Sequence, residues 1–134
     1  MHKPAAVIAA ETEFYQTFNA NVHRGAHSLS QQATAQFEQA RHTIARYINA
    51  QFEHEVIFTS GATAGLNQLA FGLMHTVLKP GDRILLTQLE HHANIVPWQL
   101  HCQRFGVIID VVPLTSERQL DLNAYQQLLA LKPK

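Results

Sequence analysis

The sequence predicts an α/β fold in which two N-terminal helices precede a βαβαβ parallel-sheet unit. Three observations carry this. Short apolar runs at residues 56–59, 84–86 and 107–112 are nearly unbroken rather than alternating, which suits strands covered on both faces. Segments of helical periodicity separate these runs, and strand–helix–strand order belongs to right-handed crossover units. The 134 residues are 46% hydrophobic and 15% charged, enough apolar material for the core of one domain.

The first helix is expected from Pro4 to Phe18. Proline suits a first helical turn, where its missing N–H costs nothing. Val7, Ile8, Phe14, Tyr15 and Phe18 supply a loose apolar face. Asn19 to His27 is polar, contains Gly25 and reads as a loop. Ser28 or Ser30 is expected to cap a long second helix. Ala33, Phe37, Ala40, Ile44, Tyr47 and Ile48 recur there at helical spacing, predicting a buried face that ends near Asn49.

Val56-Ile57-Phe58-Thr59 is the first expected strand, broken by Ser60-Gly61-Ala62-Thr63. A helix follows from about Thr63 to Val77, with Leu66, Leu69, Ala70, Leu73 and Val77 on one side. Lys79-Pro80-Gly81-Asp82 is a turn, and Ile84-Leu85-Leu86 the second strand. Asn94 to Phe105 reads as a helix with Pro97 in its first turn and Gly106 just past its end. Val107 to Val112 is the third strand, interrupted by Asp110, and Asp121 caps a last helix through Leu131. The chain thus forms one domain over residues 1–134, with a helical segment at 1–50 and an α/β core portion at 51–134. An open three-stranded sheet leaves two edges and much of its faces to cover, so a piece of something larger, or a protein that needs a partner, is expected.

Composition excludes several classes. Ten basic residues balance ten acidic ones, which argues against a nucleic-acid binder built on a basic surface. The single cysteine, Cys102, leaves no internal disulfide and suits a reducing, cytoplasmic compartment. No apolar run approaches the roughly 18 residues of a membrane span, and the N-terminus lacks a secretory signal.

Two loops are candidates for chemistry, because ligands of open α/β sheets bind beyond the carboxyl ends of the strands. In Ser60-Gly61-Ala62-Thr63, Gly61 permits close backbone approach. The first helical N–H groups, near Ala62, Thr63 and Ala64, together with the Thr63 hydroxyl, form a cradle for a phosphate. The alternative is that Ser60 or Thr63 merely caps the helix. In Glu90-His91-His92-Ala93-Asn94, one histidine is placed to stack on a flat ring or to transfer protons near neutral pH. The alternative there is a loop histidine held by a neighbouring carbonyl. His23 and His27 lie four apart, but Gly25 and the polar run before it argue against a helix, and no metal site is expected. Cys102 reads as a small packed side chain, Trp98 as core or interface packing, and His2, His42, His54 and His75 as surface residues.

Several segments together resemble one family. Asn19-Ala20-Asn21-Val22-His23-Arg24-Gly25-Ala26-His27, Phe58-Thr59-Ser60-Gly61-Ala62-Thr63, Lys79-Pro80-Gly81-Asp82 and Glu90-His91-His92-Ala93-Asn94-Ile95-Val96-Pro97-Trp98 are similar, in the same order, to segments of PLP-dependent cysteine desulfurases of the SufS/CsdA type. The resemblance implies a portion of the large domain of fold type I, in the class V aminotransferase family. It also implies pyridoxal 5'-phosphate as cofactor, homodimers, conversion of cysteine to alanine with sulfur held as a persulfide, and a place in sulfur metabolism and iron–sulfur cluster assembly. Carried over by position, Ala62 and Thr63 would hold the cofactor phosphate and His91 would lie over its ring as a catalytic residue. His23 and Arg24 would fall near the dimer interface and the mouth of the site. The chain departs from the family pattern in length, in starting after the family's first short strand, and in Ala64 where glutamate often follows the phosphate-binding threonine. The family's ring-nitrogen aspartate, Schiff-base lysine and persulfide cysteine have no counterparts within these residues. The expectation is an N-terminal portion of a desulfurase, inactive alone and weak or absent in cofactor binding. The alternative is a non-catalytic or split-enzyme module that docks on an intact desulfurase or a C-terminal partner chain. A sulfur acceptor protein is a further family partner, and no nucleic acid or membrane is expected.

Overall fold

The computed structural model describes residues 2–134, which form two compact units, one ending at Phe58 and the other beginning at Thr59. The first holds α1 (Ala5–Thr17) and α2 (Ser28–Tyr47). The second holds α3 (Ala62–Thr76), β1 (Arg83–Thr87), α4 (Val96–Phe105), β2 (Ile108–Val112) and α5 (Leu122–Leu129). Among the described residues, no helix is long and apolar enough to cross a membrane.

In the first unit α1 follows Pro4, as expected, but buries none of its residues. The loop before α2 is irregular, as its polar sequence predicts. The helix cap differs from expectation: it is His27, not Ser28 or Ser30, whose side chain accepts from the Ser30 N–H through Nδ1 at 3.3 Å. Ser30 is instead buried, and its hydroxyl donates to the Asn21 carbonyl at 2.6 Å, tying the loop to the helix. The predicted apolar face of α2 is also only partly realised. Ala33 and Ala45 are buried and Phe37 is half-buried, while Ile44, Tyr47 and Ile48 stay exposed.

The expected strand at 56–59 does not form. A strand needs a neighbour for its N–H and C=O groups, and none pairs with this segment among the described residues. Val56 is buried in extended backbone, and its carbonyl accepts from the Arg41 guanidinium instead. That guanidinium also lies over the rings of Phe37 and Phe58, at 5.1 and 5.4 Å. The sheet therefore has two strands rather than three.

In the second unit β1 and β2 run parallel, in register from Arg83 opposite Ile108 to Thr87 opposite Val112. The core gathers Ala70 and Met74 of α3, Ile84 and Leu86 of β1, Trp98 and Cys102 of α4, and Val107. The predicted turn at 79–82 is present: the Asp82 carboxylate accepts from the Lys79 N–H at 2.9 Å, and the Gly81 N–H donates to the Gly106 carbonyl at 2.8 Å. Asp110, which interrupts the apolar run of β2, is buried and accepts two hydrogen bonds of 2.6 Å from Arg83. Asp121 caps α5 as predicted, accepting from the N–H groups of Asn123 and Ala124 at 3.0 Å each.

One edge of the sheet stays open. Asp82 and Gln88 bond to β2, so the alternate residues of β1 turn their backbone groups away from it. On that far edge the Lys134 N–H donates to the Arg83 carbonyl at 2.9 Å.

Candidate functional site

The turn before α3 is shaped by two local features. Gly61 has φ +155°, a conformation that side-chain-bearing residues seldom adopt, and no atom lies within 4 Å of where a Cβ would stand. The Thr59 hydroxyl donates to the Gly61 carbonyl at 3.0 Å, bracing the turn. Gly61 is the N-cap of α3, and no side chain caps that end. The capping alternative for Ser60 and Thr63 is thus not what the structure contains. The first α3 amide to reach a carbonyl is that of Gly65, bonded to Gly61 at 3.0 Å. The N–H groups of Ala62, Thr63 and Ala64 are left pointing out of a 15-residue helix, at the positive end of its dipole. Ala62 and Thr63 are exposed.

The second loop follows the carboxyl end of β1. It leaves the strand at Thr87, passes through Gln88 to His91, and closes into a 3-10 turn at His92–Asn94 that leads through Ile95 to α4. That turn packs directly against α3, so the loop that carries His91 rests on the helix that carries Ala62 and Thr63. His91 is exposed, and its Nδ1 accepts from the Ala93 N–H at 3.1 Å. An accepting Nδ1 puts the proton of the neutral ring on Nε2. The backbone partner is thus an N–H rather than the carbonyl expected for a merely structural histidine, and the contact leaves the ring face and Nε2 free. His92 is exposed, with its ring 6.2 Å from that of His91.

Sequence reading missed the group that organises this loop. The Glu90 carboxylate accepts from the Thr87 hydroxyl at 2.9 Å through one oxygen and from the Asn94 side-chain amide at 2.8 Å through the other. The Asn94 carbonyl oxygen in turn accepts from the indole N–H of Trp98 at 3.0 Å. The two hydrogen bonds to Glu90 hold its carboxyl below its ordinary range, Asn94 contributing more than Thr87. The signal was present: residues 90, 94 and 98 are spaced four apart, as side chains on one helical face are.

The remaining candidates lie elsewhere. His23 faces Glu38 at 2.9 Å and His42 faces Glu53 at 2.6 Å, both within the first unit. His75 is exposed beside Phe71, with ring centres 4.1 Å apart. Cys102 is buried in the core, and burial pushes its thiol pKa up, the reverse of what a nucleophile needs. An apolar cavity of about 330 Å³ is lined by Leu73, Val77, Ile84 and Trp98 among others. It sits toward the C-terminal half of α3, away from the uncapped end.

Helix N-termini and the loops beyond the carboxyl ends of parallel strands are the places where α/β proteins commonly bind anions and other ligands. The whole chain, residues 1–134, matches the family described as Aminotransferase class-V, and the protein belongs to that family. Over 132 residues it is 45% identical to a "Probable cysteine desulfurase" of Vibrio cholerae serotype O1, covering 98% of this chain and 33% of that protein. The structure is similar to the apo structure of a cysteine desulfurase from Thermococcus onnurineus NA1, with a TM-score of 0.84, 37% identity, and coverage of 95% of this chain and 31% of that one. It is also similar to a C-DES mutant with glycine covalently linked to the PLP cofactor, at TM-score 0.73 and 25% identity, covering 94% of this chain and 32% of that one. The chain thus spans about a third of the length of these relatives.

The residues present fit the phosphate of such a cofactor. Three outward N–H groups, a dipole end and the Thr63 hydroxyl offer donors where a phosphate needs them. They do not supply its covalent anchor. Lys79 lies three residues past the far end of α3, and that end is about 20 Å from Thr63 along the helix at 1.5 Å per residue. Lys3, Lys132 and Lys134 lie near the chain termini.

Proposed function

We propose that this chain forms one wall of a pyridoxal 5'-phosphate site of cysteine desulfurase type. The uncapped N-terminus of α3, in a chain of this family, is the observation that carries the reading. The N–H groups of Ala62, Thr63 and Ala64 and the Thr63 hydroxyl hold the phosphate, and His91 covers the cofactor ring. The family likeness to cysteine desulfurases, SufS/CsdA type among them, supports cysteine as substrate, with alanine and a persulfide as products. When bound, the cofactor supplies the electron sink that weakens bonds at the substrate α-carbon. This chain's residues orient it: the helix end neutralises phosphate charge, and the His91 ring, protonated on Nε2 when neutral, is positioned to donate or accept a proton there.

The 134-residue chain alone is expected to bind the cofactor weakly and to turn over no cysteine, because in the second unit Lys79 lies past the far end of α3 and Lys134 at the start of β1, both away from the phosphate cradle. Absorbance titration with pyridoxal 5'-phosphate tests the binding. Thr63→Val and His91→Ala are each expected to weaken it, by up to about tenfold for one lost hydrogen bond or stacking contact. Cysteine-dependent alanine release by the chain alone, abolished by His91→Ala, would overturn the expectation of inactivity.

A second reading, as the docking half of a split enzyme, is favoured by the open edge of β1. The Lys134–Arg83 bond already occupies its first backbone position, and the 330 Å³ apolar cavity, which Lys134 also lines, adjoins it. An added parallel strand from a polypeptide carrying the missing lysine would extend the sheet there. Co-purification with such a chain, lost on Leu85→Pro, would favour this reading; a stable monomer beside that chain would refute it.

A further inference from the structure

We propose that Glu90, Asn94 and Trp98 are positioning residues: a hydrogen-bonded clamp that fixes the loop bearing His91, and with it the orientation and tautomer of the His91 ring. The inference deepens the cofactor-site reading and rests on it for its functional meaning, although the clamp itself is tested without a ligand.

The Glu90 carboxylate adds side-chain ties to a loop whose backbone is bonded from the Glu90 N–H to the Thr87 carbonyl at 3.4 Å and from the Asn94 N–H to the His91 carbonyl at 2.7 Å. Glu90 precedes His91 and bonds on one side to Thr87, the last residue of β1, and on the other to Asn94, the last residue of the 3-10 turn. It therefore closes the loop from both ends with His91 between them. Asn94 is oriented in its turn, since its carbonyl oxygen accepts from the Trp98 indole, which is 7% exposed and belongs to the core. Its amide donors are thereby aimed at Glu90. The order of donors and acceptors is fixed from the buried indole to the strand end: Trp98 gives to Asn94, Asn94 gives to Glu90, and Thr87 gives to Glu90. His91 uses the frame so made, with Nδ1 accepting from the Ala93 N–H inside the clamped turn. Were the turn released, that bond would open, the ring would rotate freely, and both tautomers would populate.

The polarity of the relay provides the test. Asn94→Asp keeps the acceptor for Trp98 but sets two carboxylates face to face, breaking the bond to Glu90. Glu90→Gln alone is milder, because a glutamine can turn its amide toward Thr87, whose hydroxyl also accepts. In the Glu90→Gln/Asn94→Asp double variant, the new glutamine amide donates to the new carboxylate while its carbonyl oxygen accepts from Thr87. The new carboxylate still accepts from Trp98. Every bond is restored with the central polarity reversed.

Two readouts need neither cofactor nor turnover: the ring-nitrogen chemical shifts of His91, which report its tautomer, and hydrogen exchange at the Ala93 amide. Asn94→Asp is expected to mix the tautomers and to speed Ala93 exchange on the order of tenfold, the scale of one charge-assisted hydrogen bond. The double variant is expected to return both toward wild type. Ala70 and Met74 amide exchange, read in the same spectra, monitors the core. If Asn94→Asp loosens the core as well, the double variant decides: recovery of the His91 signature with it supports the clamp, and no recovery overturns it. An unchanged His91 signature in Asn94→Asp also overturns it. Pyridoxal 5'-phosphate is then titrated separately. Failure of the wild-type chain to bind it would count against the cofactor reading and leave the clamp result standing.

Discussion

Helices α2 and α3 carry the same kind of apolar periodicity, and each buries only part of it: Leu69 and Val77 of the predicted α3 face stay exposed, as do Ile44, Tyr47 and Ile48 of the α2 face. In α3, Ala70 and Met74 are sealed against β1 and α4. In α2, Tyr47 is 90% exposed and Ile48, just past its end, 58%. Periodicity specifies that a helix has an apolar face; burial also needs a neighbour. The second unit brings its own neighbour, because α3, β1, α4 and β2 follow one another closely and fold back into a crossover. The stripe of α2 is covered only in part among the described residues, at Ala33, Phe37 and Ala45. A chain spanning a third of its relatives' length has apolar faces of both kinds.

The sharpest way to break the comparison is to remove one large side chain from each unit. Trp98→Ala should cost about 3–5 kcal/mol in denaturant unfolding, because it opens a cavity in the core and strips Asn94 of its donor. Tyr47→Ala should fall within about 0.5 kcal/mol of wild type, as exposed substitutions do. Equal costs would mean that α2 is covered in solution.

Next in size is the ion pair that pins the two strands. Asp110→Asn would leave Arg83 without its charged partner and lower the melting temperature, and Arg83→Lys, which cannot reproduce the two-pronged contact, would lower it less. The pair also holds the Arg83 guanidinium pKa above its ordinary value, chiefly through the hydrogen bond to Asp110.

The smallest effect is acid-dependent. The Glu90 carboxyl is held below its ordinary pKa of 4.5 in the folded chain. Its contribution is therefore complete above 4.5 and is lost as pH falls through the lower folded value. Unfolding midpoints measured across that range should show a small loss that Glu90→Gln removes. An identical acid profile in the variant would deny Glu90 this role.

The two loops that form the candidate site were legible as loops before the structure, for physical reasons. Gly61 before an apolar helical run marks a tight turn into a helix, and the Glu90–Asn94 segment marks a loop after a strand; that neither Ser60 nor Thr63 caps α3 was open in the sequence and is settled by the structure. The end of α4 and the start of α5 followed from Gly106 and Asp121, residues whose backbone or side chain acts locally. What was not legible depends on partners distant in sequence. Val56–Thr59 has strand composition but no neighbouring strand, so it stays unpaired. Asp110 looked like an interruption because Arg83, 27 residues away, was not visible as its partner. His27 took the cap of α2 because the loop drew Ser30 to Asn21. The role of Glu90 needed Thr87, Asn94 and Trp98 together, which a motif read residue by residue separates.

The central claim is that the α3 end and the His91 loop hold one ligand between them. Two-dimensional NMR of the isotope-labelled chain, titrated first with inorganic phosphate and then with pyridoxal 5'-phosphate, tests it most directly. Phosphate should shift the Ala62, Thr63 and Ala64 amides alone, whereas pyridoxal 5'-phosphate should shift these and the His91 ring together at one shared affinity. Shifts that map to the helix end and the ring with different affinities, or that miss either one, would contradict it.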